Sequence, residues 1–327
     1  MSIVISIANR ALATGLAIAF AGAAHAAYPD KPITIIVNYP PGGALDLATR
    51  AVSANLSAQF GQPIVIENKP GASGLIGAEN AARQKPDGYT FLATIDSLVT
   101  VNPLIFGQAR FNPETTLDLI SLLGTFEQVL LVPKASEIKD IPTLMTASKA
   151  KALNYSSAGA GTPGHLAMES LRLALGINMT NIPFKGNAPA LNALLGNQVD
   201  TGFLALGGST LQHIKAGKLV PLAVAGKSRN FALPDTPTLS ESGIEDLKDF
   251  DMQFAFLLMA PKGLDKAVTE KWSAAVAQAM QSAQVKTQFD NLNVHRVNGS
   301  TQEAQQWMTK YGSRIRDTIS KANIKVE

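Results

Sequence analysis

ITIIVNYPPGGALD, residues 33–46, decides how the rest of the chain is read. The β-branched run Ile33–Val37 has the composition of a buried strand, and Pro40-Pro41-Gly42-Gly43 ends it abruptly. Beyond the glycines, Ala44, Leu45, Leu47, Ala48, Ala51, Val52 and Leu56 recur at helical spacing. The stretch predicts strand, tight loop, helix. Such a junction aims the free N–H groups of the first helical turn, with the positive end of the helix dipole, at whatever lies above the strand end. It is a place to hold an anion, with Tyr39, Pro41, Gly42, Gly43 and Asp46 as candidate ligand residues. Asp46 by itself is a capping acid; opposite a ligand ammonium it would select amino acids, and as a sole anion it would repel a carboxylate.

Working outward, residues 63–66 read as a second strand, 75–83 as a helix and 89–94 as a third strand. Strands alternating with helices argue a parallel sheet covered on both faces, with ligands at the carboxyl ends of its strands, where Asp96 and Ser97 fall. A loop over 102–116 precedes two strands, 117–123 and 128–132. A second α/β unit then runs to about residue 225. The apolar run 250–259 reads as a strand crossing back, followed by a helix through Trp272, a short strand at 294–297 and a final helix through Trp307. These expectations describe an α/β protein with two lobes around a cleft, joined by two crossing strands. The lobes are expected over 27–127 with 250–327, and over 128–249.

The stretch Ser156 to His165 repeats the logic of the first loop in the second lobe. Thr162 is a good N-cap, Pro163 suits the first helical position, and Gly159 and Gly161 permit close backbone approach. Ser157, Gly159, Ala160, Gly161, Thr162 and His165 are therefore candidate ligand residues, joined by Lys185 at a further strand-to-helix junction and by Phe254 on the returning strand. The expected donors are N–H groups near Gly42, Gly43, Gly161 and Thr162. Gly159 to Gly164 also matches G-x-G-x-x-G, but the acid wanted about 20 residues on is absent from Asn181-Ile182-Pro183-Phe184-Lys185, so no nucleotide cofactor is expected. Ser157 with His165 lacks both a G-x-S-x-G elbow and an acidic orienter, so no catalytic residue is expected.

Composition narrows the classes. With 327 residues, 46% hydrophobic and 16% charged, the chain can bury a large core. Arg10 before a short apolar run and Ala24-His25-Ala26 at its end read as a signal peptide over 1–26, cleaved after Ala26, and so as export to the periplasm. Its removal takes Arg10 and no acid from 28 basic and 25 acidic residues, leaving 27 − 25 = +2. That balance, without basic blocks, argues against nucleic acid. The absence of cysteine excludes disulfides and thiolate sites, and four histidines make a metal site unexpected.

The chain resembles the Bug family, the periplasmic solute-binding proteins of tripartite tricarboxylate transporters. The resemblance is carried by Tyr28-Pro29-Asp30-Lys31-Pro32, Pro41-Gly42-Gly43 with Asp46 and Arg50, Glu67-Asn68-Lys69-Pro70-Gly71-Ala72, Pro86-Asp87-Gly88-Tyr89, Asn102-Pro103, Gly161-Thr162-Pro163 with His165, Phe184-Lys185-Gly186 and Ala260-Pro261. It implies a type II periplasmic-binding-protein fold, a small organic carboxylate held by backbone amides, membrane permease subunits as partners, a monomer and no cofactor. Phe254-Ala255-Phe256-Leu257-Leu258-Met259 stands where the family commonly has tryptophan and glycine, which implies a more apolar pocket and an aromatic or branched monocarboxylate rather than citrate. Delivery to a sensor kinase is the alternative within the same fold. A secreted or nucleotide-dependent enzyme using Ser157 and His165 or the Gly159 to Gly164 loop is the alternative outside it.

Overall fold

The structure, a computed structural model, describes residues 28–105, 111–322 and 324. The export segment expected over 1–26 lies outside these residues. Strand β1 (Ile33–Val37) forms as read, and the proline-glycine loop releases it into helix α1 (Ala44–Phe60). β1 runs parallel to β2 (Ile64–Asn68) on one side and to β3 (Thr90–Ile95) on the other. The two-residue period of the strand sorts its side chains between two cores. Ile33, Ile35 and Val37 meet Leu45, Ala48 and Leu56 of α1, whereas Ile36 meets Leu75 and Ala78 of helix α2 (Leu75–Ala82).

One strand, β4 (Leu117–Pro133), stands where the sequence suggested two. Its first part is antiparallel to β9 (Gln253–Pro261), from Leu117 opposite Pro261 to Glu127 opposite Gln253, with two bulges that bend it. From Gln128 onward it pairs with β7 (Thr201–Ala205) and β8 (Leu219–Val224). Gly124, between the two expected strands, is a close approach: a Cβ there would lie 2.7 Å from Val294 Cγ1 and 2.9 Å from Phe289 Cε1. The strand continues because Gly124 and Thr125 keep their β9 partners.

The second lobe is built on β5 (Leu153–Ser157), parallel to β6 (Met179–Pro183) and β7. Its helices are α3 (Ile141–Ala150), α4 (Pro163–Leu175), α5 (Asn187–Leu195) and α6 (Gly208–Lys215). After β9 come α7 (Lys266–Met280), α8 (Ala283–Leu292) and α9 (Thr301–Ala322). α9 packs on β4 and on α4, touching both lobes. The expected strand at 294–297 shrinks to one bridge between His295 and Thr125, and the expected loop over 102–116 contains the helical turns Asn102–Ile105 and Pro113–Thr116.

Glu127, at the position where β4 changes sheets, is 4% exposed. Its carboxylate accepts from Asn230 Nδ2 at 2.5 Å and pairs with His295 Nε2 at 2.9 Å. The hydrogen bond to Glu127 raises the pKa of His295, against the opposing effect of burial. A raised folded-state pKa contributes stability that is present below the unfolded value of about 6.5 and lost as pH rises through the folded one. The stability difference between the wild type and His295→Gln, which still donates but does not titrate, should therefore shrink from about pH 6 to about pH 9 in urea titrations. A constant difference across that window would mean that the pair carries no charge.

Candidate functional site

Helix capping divides the molecule. Asn112, Asp140, Asp265 and Ser282 each accept an N–H of the helix they precede. By contrast, α1, α2, α4, α5 and α6, which follow strands of the parallel sets, have no side-chain cap. Four of these begin after glycine: Gly43, Gly74, Gly186 and Gly207. The fifth follows Thr162, which takes the expected N-cap position but turns its hydroxyl to Gly159 O at 2.7 Å. Among the described residues, no hydrogen bond takes the N–H of Gly43, Ala44 or Leu45, nor that of Gly164 or His165. Both lobes thus present positive helix ends without a protein acceptor, the arrangement that favours an anion.

The first loop is held from below. Gly42, with φ of 79°, donates its N–H to Asp46 Oδ2 at 2.9 Å. The same carboxylate takes Arg50 Nε at 3.0 Å and Asn68 Nδ2 at 2.9 Å, and Asn68 Nδ2 also reaches Tyr39 O at 3.2 Å. Burial disfavours the Asp46 anion, but Arg50, the Gly42 N–H and Asn68 outweigh it and lower its pKa. Asp46 therefore stands beneath the loop with its charge paired, while Gly42 and Gly43 are exposed above it.

The second loop has the same construction. Gly161, with φ of 72°, donates its N–H to His165 Nδ1 at 2.9 Å. His165 is 7% exposed, and burial lowers its pKa. Its ring lies 6.3 Å from that of Tyr155, whose hydroxyl donates to Glu169 Oε1 at 2.7 Å, and Glu169 is paired with Arg172. Thr162 N–H goes to Gly159 O at 3.3 Å, and Ser157 Oγ is 3.4 Å from both Gly159 N and Gly159 O. Three of the four expected donors, at Gly42, Gly161 and Thr162, are thus consumed in shaping the loops. The unclaimed donors lie one to three residues further into each helix, Gly43 among them, because the loop spends its own N–H groups to hold its turn.

The lobes meet at these loops. A Cβ on Gly161 would lie 2.4 Å from Ile105 Cδ1 and 3.0 Å from Val101 Cγ1, so the second loop rests on the turn after Asp96 and Ser97. From that turn, Asn102 Nδ2 donates to Ser73 O at 3.0 Å, and Gly74 lies against Asn38 and Tyr39. Residues 71–74 all have positive φ, from 47° to 127°, although Ala72 and Ser73 are not glycine. Each costs of the order of 1–2 kcal/mol, and Asn38 Nδ2 on Gly74 O at 3.0 Å helps hold the turn. The sequence reading gave this loop no site residue. Its turn-forming composition was visible, but its packing on Tyr39 and Asn102 is tertiary.

The remaining candidates scatter. Asp96 is fully buried and accepts from Trp307 Nε1 at 2.9 Å, and burial pushes its pKa up to about 7 against the hydrogen bonds from Trp307 and backbone N–H groups. Ser97 meets the Tyr39 hydroxyl, whose pKa burial pushes up to about 12. Lys185 is exposed. Phe254 is fully buried, its ring 6.0 Å from Phe126, and Phe256 packs on Phe126 at 4.7 Å. That aromatic stretch packs in the core where the strands cross.

Residues 48–324 match the family described as tripartite tricarboxylate transporter family receptor. Protein BugT of Bordetella pertussis is 31% identical over 265 residues, covering 80% of each chain. MatC from Rhodopseudomonas palustris with bound malate is 27% identical with a TM-score of 0.79, covering 89% of this chain and all of that one. Rpa4515 of R. palustris with adipate is 26% identical with a TM-score of 0.82, covering 91% of this chain and all of that one. The paired lobes, the crossing strands and these matches agree, and the chain belongs to the tripartite tricarboxylate transporter receptor family, that of the Bug proteins.

Proposed function

We propose that this protein captures a small organic carboxylate in the periplasm and hands it to the permease subunits of a tripartite tricarboxylate-type transporter, acting as a monomer without chemistry of its own. The observation that carries the reading is the set of uncapped helix N-termini that follow strands in both lobes of a receptor-family chain. No hydrogen bond joins Ser157 to His165 among the described residues, and His165 Nδ1 is already engaged, which speaks against a nucleophile and base. Relatives that hold malate and adipate make dicarboxylates the first probes. Export with cleavage after Ala26 completes the proposal, and sequencing of periplasmic protein should begin at Ala27.

Mass spectrometry of what leaves the protein on denaturation should find a small carboxylate, and a panel including malate and adipate should raise the melting temperature. A product formed from the panel on incubation, or no binding across it, would sink the reading.

Backbone capture has its own test. Gly43 has φ of −75° and room for a Cβ, so Gly43→Ser can install the missing cap. Stability should change by only a few tenths of a kcal/mol, while the new hydroxyl competes for the N–H groups and weakens binding about tenfold. Lys185→Ala should cost about 0–1 kcal/mol, as expected of an exposed ammonium. Calorimetric titration orders the two variants; loss of binding in Lys185→Ala alone would overturn backbone capture.

A further inference from the structure

Both ligand loops use one device. A glycine in the left-handed region donates its N–H to the side chain four residues on, inside the first turn of the following helix: Gly42 to Asp46 and Gly161 to His165, each at 2.9 Å. The acceptors differ in kind. Asp46 is an anion whose charge Arg50 neutralises, whereas His165 can accept only through the unprotonated Nδ1 of a neutral ring. We propose that His165, in its Nε2–H form, is the positioning residue of the second ligand loop, so that acidification releases Gly161 and weakens ligand capture through this lobe. The claim rests on the carboxylate-binding reading above, and it assigns His165 a role beneath the ligand.

Protonation at Nδ1 would face the Gly161 N–H with a second donor, and a donor cannot replace an acceptor. Gly161 is held where only glycine is comfortable, and its loop packs on Val101 and Ile105 across the lobes, so a change there reaches both sides of the site. The charged groups acting on His165 are Glu169 and Arg172, one and two turns along α4, which pair with each other. From β5 it meets Tyr155. The segment Glu245–Leu247 and α9 also pack on α4, and among the described residues neither brings an ion-pair partner to His165. Burial dominates and holds the ring neutral below the ordinary histidine range. In the first lobe the lowered pKa of Asp46 keeps the matching bond intact over the same interval.

The first test needs no ligand. In protein labelled with 15N at histidine and glycine, His165 should show an unprotonated, hydrogen-bonded Nδ1 at about pH 8, and the Gly161 amide should move with the His165 titration at a midpoint below about 6.5. A protonated Nδ1 at pH 8, or a Gly161 amide indifferent to that titration, would overturn the proposal whether or not any carboxylate binds. The second test uses malate and adipate. Asparagine places an oxygen where Nδ1 stands, so His165→Asn should bind like the wild type at pH 8 and hold its affinity towards pH 5, while the wild type falls about tenfold and His165→Leu is weak throughout. The ligand's own protonation cancels between variants in the same buffers. Equal pH profiles for the wild type and His165→Asn would defeat the proposal while leaving carboxylate binding itself untouched.

Discussion

A buried backbone must satisfy its own N–H and C=O groups, and β4 does so across two lobes by changing partners along its length. β9 serves it up to Glu127, and β7 and β8 take over from Gln128. Without that exchange, a chain crossing between lobes would bring unpaired polar groups through the apolar cluster formed by Phe126, Phe254 and Phe256, each costing about 1–3 kcal/mol. The strand pair therefore does more than link the lobes. It fixes where the carboxyl ends of both parallel sets stand, and every candidate loop is a consequence of that placement.

At those ends the protein forgoes ordinary helix capping. Elsewhere it caps with Asn112, Asp140, Asp265 and Ser282, so the sequence has ready means to do so. The omission at α1, α2, α4, α5 and α6 leaves first-turn donors to water or ligand. Against a serine or aspartate each glycine cap costs only a few tenths of a kcal/mol. The left-handed glycines then spend one donor each on an internal acceptor, which narrows the unclaimed set to the helix ends themselves.

Much of this could be read in the chain. Gly43, Gly186 and Gly207 before helices, against Asp140, Asp265 and Ser282 before others, is a written distinction, as is the spacing of four from Gly42 to Asp46 and from Gly161 to His165. What could not be read is direction. Thr162 sits where an N-cap should, and only the fold reveals its hydroxyl turned to Gly159. Phe254 had the composition of a pocket wall, and only its packing against Phe126 places it in the core. Asn68 joins Asp46 from the end of another strand, and Ser73 meets Asn102 from another loop; no local periodicity carries such contacts.

The charges nearest the two loops are paired within the protein, Arg50 with Asp46 and Arg172 with Glu169, while Lys185 stays at the surface. A free buried cation would bind a carboxylate through charge-assisted bonds worth roughly 1.5–3 kcal/mol each. Backbone donors divided between two lobes give less per bond and require both lobes to be in place. Under the capture proposed above, affinity would depend on both lobes together, and separating them would release the ligand. For the proposed carrier, which must release what it captures, oriented dipoles shared between two lobes suit the task better than a fixed charge would.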